Sequence, residues 1–151
     1  MTSTAANRIV VGVDGSELSE HALRWAVYLA KGMNGNIEAV TVWPAIDEWV
    51  AAGWIGVPVP WNPGDAADNA LATTLERVFG NSLPPNVTST TQSGNAAKVL
   101  LEHSKGARML VVGSRGHGGF HGLLLGSVSA TCAEHARCPV VVVHGHTPPP
   151  E

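Results

Sequence analysis

The residues best suited to chemistry lie in one glycine-rich stretch, Gly113-Ser114-Arg115-Gly116-His117-Gly118-Gly119-Phe120-His121-Gly122-Leu123-Leu124-Leu125-Gly126-Ser127-Val128-Ser129. Six glycines fall within its first fourteen residues, Gly113 to Gly126. Glycine lets main-chain amides approach phosphate oxygens with no Cβ in the way. Gly126, Ser127 and Ser129 open a helical pattern, where unpaired amides and the helix dipole favour an anion. Ser127 and Ser129 add hydroxyl donors, and Arg115 is the only basic Lys or Arg side chain in the loop. A solvated surface loop is the bland alternative for such a composition. A second segment, Asp14-Gly15-Ser16, puts one carboxylate directly after an apolar run. On local grounds alone Asp-Gly-Ser reads as a turn or helix start.

Two common phosphate motifs are absent from the sequence. No Gly-x4-Gly-Lys-Ser/Thr occurs, which excludes a P-loop. No Gly-x-Gly-x-x-Gly follows the first apolar run, and the second ends in Trp43-Pro44 rather than an acid, which argues against dinucleotide binding.

The elements that must position these loops alternate along the chain. Arg8 to Val13, Ile37 to Trp43, Val87 to Thr91, Arg108 to Val112 and Val140 to Val143 read as strands. Between the first two, Leu18, Ala22, Trp25, Ala26 and Leu29 recur at helical spacing, with Ser16 as N-cap and Gly32 as the stop after the helix. Helices are also expected from Asp65 through Phe79, over Asn95 to Lys105 with Val99, Leu100 and His103 inward, and over Ser127 to Ala136. Five strands separated by four helices imply an α/β fold, an open parallel sheet with helices on both faces. With strand order 3-2-1-4-5 the winding reverses between strands one and four, and ligands bind beyond the strand ends at such a reversal. Both chemically unusual loops leave those two strands.

The 151 residues suit one domain, and 44% hydrophobic with 14% charged residues describes a chain that folds. A net charge of −3 and nine scattered Lys and Arg speak against a nucleic-acid surface. No uncharged apolar run reaches the ~18–20 residues that cross a bilayer. Met1 to Asn7 carries no signal-peptide core, so the expected location is the cytoplasm. Residues 1–6 and 145–151 are expected to be disordered, around a domain spanning 7–144. Asn86-Val87-Thr88 is a chance glycosylation sequon on this reading. His117 and His121 sit in a glycine loop rather than on a helix face, which disfavours shared metal ligation, and His144-Gly145-His146 belongs to the tail. Cys132 falls on the buried period of its helix. Cys138 precedes Pro139 six positions on, so a bridge is conceivable, but core packing is the expected role.

Gly113-x2-Gly116-x9-Gly126-Ser127 resembles the nucleotide motif of the ATP-binding universal stress proteins. Val10-Val11-Gly12-Val13-Asp14-Gly15-Ser16 and Cys138-Pro139-Val140-Val141-Val142-Val143 extend the resemblance over residues 7 to 144. It implies the same 3-2-1-4-5 sheet, ATP or another adenine nucleotide as ligand, Mg2+ as companion ion, and a homodimer paired through Val140–Val143. By the same resemblance Val13 and Asp14 flank the ligand, with Asp14 on the ribose or the metal, and the main chain of Val42 reads adenine. The phosphates fall on Gly113, Ser114, Gly116, Gly126, Ser127, Val128 and Ser129. Arg115 occupies a variable position of the motif, so a phosphate role for it rests on its charge alone. The resemblance implies a stress-response regulatory module and leaves open slow ATP hydrolysis or autophosphorylation, or a nucleotide-free interaction role. The stretch with Trp49, Trp54 and Trp61 has no counterpart in the motif. It reads as extra core over the sheet edge, a lid near adenine or a partner surface.

Overall fold

The computed structural model describes residues 7–44, 63–115, 125–145 and 148–150. The expectations for residues 1–6, the three loop tryptophans, Gly116, His117, His121 and His146 lie outside the described residues.

In chain order the elements are β1 (Arg8–Gly12), α1 (Glu17–Met33), β2 (Asn36–Trp43), α2 (Pro63–Phe79), β3 (Val87–Ser93), α3 (Ala96–Ser104), β4 (Met109–Gly113), α4 (Ser127–His135) and β5 (Val140–Val143). The strands form one parallel sheet in the order β3-β2-β1-β4-β5, the expected topology. Strands β1 and β4 are buried through their middle residues, as strands covered on both faces must be.

Strand alternation sorts the core into two layers. Ile9, Val11, Ile37, Ala39 and Val111 face α1 and α2, packing against Leu23, Ala26 and Leu71. Val10, Val40, Leu110 and Val112 face α3 and α4, packing against Val99, Leu100 and Cys132. Each such Val, Leu or Ile side chain removed from water contributes roughly 1.5–3 kcal/mol.

Helix α1 begins as its sequence dictates. Ser16 accepts from the Ser19 amide at 3.1 Å, and Glu17 and Glu20 occupy the positive first turn. Its end differs from expectation. Gly32 lies inside the helix, and Asn34 takes the left-handed conformation at φ 53°. The Asn7 amide explains the shift: its Nδ2 donates to the carbonyls of Met33 and Asn34 at 2.9 and 2.8 Å. Those otherwise unpaired carbonyls carry the helix one residue past the glycine.

His103 is half-buried, as its period suggested, but it is bonded rather than packed in oil. Its Nδ1 meets the Glu38 carboxylate and its Nε2 lies 2.9 Å from Gln92 Oε1. Arg8 completes the cluster 3.5 Å from Glu38 and donates to the His103 carbonyl at 2.6 Å, near the negative end of α3. Residues from β1, β2, β3 and α3 are thereby tied together on one face of the sheet. Asn86, the sequon residue, donates to the Gly35 carbonyl at 3.0 Å and so has a structural role.

Candidate functional site

All five strands are parallel, so their carboxyl ends share one rim of the sheet. Strands β1 and β4 are paired up to Val11 opposite Val111. Asp14 and Ser114 each lie three residues further on, so the two candidate loops leave the rim side by side. Strand β2 flanks β1 on the other side, with Gly12 opposite Val40 and the Val13 amide donating to the Val40 carbonyl at 2.8 Å. Val42 lies two residues beyond, half-buried, opposite Gln92.

Asp14 is held by its own turn. Its Oδ1 accepts from the Ser16 amide at 2.9 Å and from the Ser16 hydroxyl. Its amide in turn meets Ser19 Oγ at 3.3 Å. Gly15 makes the turn possible at φ 85°, a conformation that disfavours any side chain. The carboxylate is exposed to solvent but fixed in direction. Val13 beside it is 2% exposed and packs in the core, so only its carbonyl edge is available to the rim.

The glycine loop is clasped at its base. The Gly126 amide donates to the Ser114 carbonyl at 2.6 Å, and the Ser129 hydroxyl donates to the same carbonyl at 2.8 Å. The Ser114 amide donates to Val143 at the end of β5 at 2.8 Å. Ser129 is 2% exposed and lies 3.1 Å from the Gly126 carbonyl. Its hydroxyl, expected as a ligand donor, is engaged in closing the loop. Gly126 is the N-cap of α4 at φ −71° and ψ 167° and, being glycine, offers the first-turn amides no capping side chain. The first intrahelical bond is Ala130 to Gly126 at 2.9 Å. The amides of Ser127, Val128 and Ser129 therefore point out of the first turn toward the rim. Ser127 is exposed, Val128 is half-buried, and Arg115 is exposed where the loop departs.

Gly113 has a structural reason for being glycine. A Cβ there would stand 2.9 Å from Leu18 Cγ, inside the contact between β4 and α1. Sequence reasoning assigned this residue to the phosphates and missed its packing role, because Leu18 lies 95 residues away along the chain. The clasp was missed for a similar reason. Thr41 is 4% exposed and its hydroxyl has no partner among the described residues. Alternation puts it on the face opposite Val42, with Ala39. Among the described residues no three His, Cys, Asp or Glu side chains cluster to hold a metal, and no helix is long and apolar enough to cross a membrane.

Comparison with known proteins gives this architecture its place. The family description that matches residues 6–144 is the universal stress protein family. Universal stress protein Rv2623 of Mycobacterium tuberculosis is 38% identical over 137 residues, covering 89% of this chain and 44% of that protein. This chain thus spans less than half the length of that relative. Universal stress protein YxiE of Bacillus subtilis is 30% identical over 145 residues, covering 91% of this chain and 98% of the relative. Among solved structures, universal stress protein UspA from Lactobacillus plantarum superposes with a TM-score of 0.71 at 22% identity, covering 91% of this chain and 97% of that one. A universal stress protein in complex with cAMP gives 0.59 at 24%, with coverages of 91% and 96%. An Arabidopsis thaliana family protein with AMP bound gives 0.56 at 17%, covering 93% of each. At these identities the structural likeness is one of fold. Matched over nearly its whole length and sharing the sheet order, the chain belongs to the universal stress protein family.

Proposed function

We propose that this chain binds an adenine nucleotide, ATP with Mg2+, at the rim where β1, β2 and β4 end, and acts as a nucleotide-dependent stress-response module in the cytoplasm. The observation that carries the reading is the first turn of α4, which opens on a glycine that brings no capping side chain, at the same rim as Asp14. A phosphate chain would supply acceptors to the amides of that turn, which have none within the helix. On this reading the phosphates lie on Gly113, Ser114, Gly116, Gly126, Ser127, Val128 and Ser129, with Arg115 adding charge from outside the clasp. Ser129 contributes its amide rather than its hydroxyl. Asp14 takes the ribose or the metal, and the Val42 main chain takes the adenine edge. Magnesium would neutralise phosphate charge that the loop itself leaves largely unmatched. The cAMP and AMP complexes among the structural neighbours support the ligand class.

Binding is favoured over fast turnover because phosphoryl transfer needs a positioned base, metal ligands and a charge clamp. Among the described residues the two candidate loops offer one acid, Asp14, and one Arg side chain, Arg115. Protein purified without added nucleotide and then denatured is expected to release an adenine nucleotide detectable by mass spectrometry. The emptied protein is expected to bind ATP by calorimetric titration. No released nucleotide, together with no heat on titration with ATP, AMP or cAMP, would overturn the reading.

The module is expected to be a homodimer paired through Val140–Val143. One side of β5 pairs with β4, and Val140 to Val142 remain half-exposed at the end of the sheet. Apolar edge strands invite pairing with another chain. Light scattering is expected to report a dimer for the native chain and a folded monomer for Val141→Lys. A native monomer at all concentrations, or a Val141→Lys dimer, would count against it.

A further inference from the structure

Two thiols lie at the other end of α4, away from the nucleotide reading. Cys132 is fully buried in the core layer beneath α3 and α4. Cys138 is half-buried and packs against the same cluster, beside Val140 and Val142. The chain turns back between them. The Ala136 amide donates to the Cys132 carbonyl at 3.0 Å and ends the helix, and Pro139 is already anchored to β4 through Leu110, at 2.9 Å. Both cysteines are free thiols at one apolar cluster, joined by a short turn pinned at both ends.

We propose that Cys138 is a site of oxidation by peroxide, and that Cys132 resolves it into an intrachain disulfide stapling the end of α4 to the start of β5. The order of events follows from exposure. Burial, and secondarily the neighbouring Cys138, push the Cys132 thiol up to about 11, so it stays mostly protonated at neutral pH and is the poorer first target for the oxidant. Cys138, open to solvent on one side, meets the oxidant first. Its thiolate attacks a peroxide oxygen; the S–O bond forms, the O–O bond breaks, and the departing oxygen leaves as water after taking a proton. Cys138 is then a sulfenic acid, an electrophilic sulfur packed against the same apolar cluster as Cys132. The Cys132 sulfur loses its proton and attacks the Cys138 sulfur. The S–S bond forms, the S–O bond breaks, and hydroxide leaves with that proton as a second water. Two thiols have lost two electrons, and one hydrogen peroxide has become two waters.

The test uses the reduced full-length chain treated with hydrogen peroxide. The intact mass is expected to fall by two hydrogen atoms, and both thiols are expected to disappear from the count after denaturation. Peptide mapping should recover one peptide pair joined through Cys132 and Cys138. In Cys132→Ser the reaction should stop at a sulfenic acid on Cys138, trapped by dimedone. In Cys138→Ser the remaining thiol should survive the same treatment. Two intact thiols after peroxide, a disulfide only between chains, or equal oxidation of Cys132 in the Cys138→Ser chain would each overturn the proposal.

Discussion

Gly126→Val is expected to abolish adenine-nucleotide binding while leaving the protein folded. The backbone at Gly126, φ −71° and ψ 167°, is extended and open to any residue, so valine imposes no backbone strain. The Ser114 carbonyl can still take the amide of residue 126, because that bond involves no side chain. What changes is the space at the mouth of α4. Gly126 is buried, and on the proposed reading a branched side chain there would take the space a phosphate needs to reach the amides of Ser127, Val128 and Ser129. Losing those contacts is expected to weaken ATP binding at least about a hundredfold, equivalent to about 2.7 kcal/mol. Calorimetric titration measures this, with circular dichroism to confirm the fold. Native affinity in the variant would remove the α4 mouth from the site. An unfolded variant would instead make Gly126 a structural residue.

The contrast between Gly126 and Gly113 shows what the sequence could and could not tell. Both belong to the same spaced motif. Gly113 meets Leu18 and has a packing reason for lacking a side chain, whereas Gly126 has a permissive backbone. Spacing cannot separate the two, because the separation depends on α1 folding against the end of β4. Period and composition were enough for an open parallel sheet, and its strand order is the one the family resemblance implies. Apolar runs alternating with helical patterns left few ways to wind five parallel strands, and the observed order is the one expected. Strand β3 runs two residues past its expected end, through Gln92 and Ser93, because its pairing with β2 continues to Trp43. The end of α1 was misread because Asn7, more than twenty-five residues upstream, supplies the cap. The cluster of Arg8, Glu38, Gln92 and His103 was illegible for the same reason, since it draws on four elements. Local chemistry is legible where partners are neighbours in sequence, as at the Ser16 N-cap, and illegible where the fold supplies them.

Asp14 is the residue at which local and functional readings overlap, and one substitution separates them. Asparagine keeps an Oδ1 that can accept from the Ser16 amide and hydroxyl, so Asp14→Asn should preserve the turn and the start of α1. Only the charge is lost. If the carboxylate serves Mg2+ on the phosphates, the variant should weaken MgATP binding far more than binding of ATP in excess chelator. A metal with only one or two protein carboxylates depends heavily on each. We expect this pattern, with a deficit of about 1.5–3 kcal/mol in the presence of metal, the scale of a charge-assisted contact. Equal weakening with and without metal would move Asp14 to the ribose hydroxyls, where it acts as acceptor only. Unchanged affinity under both conditions would leave it the turn residue that Asp-Gly-Ser already predicts. Far-ultraviolet circular dichroism and thermal melting of the variant decide whether the turn was preserved. Because the turn bonds survive the substitution, a loss of affinity without a loss of stability would assign the carboxylate charge to the ligand rather than to the fold.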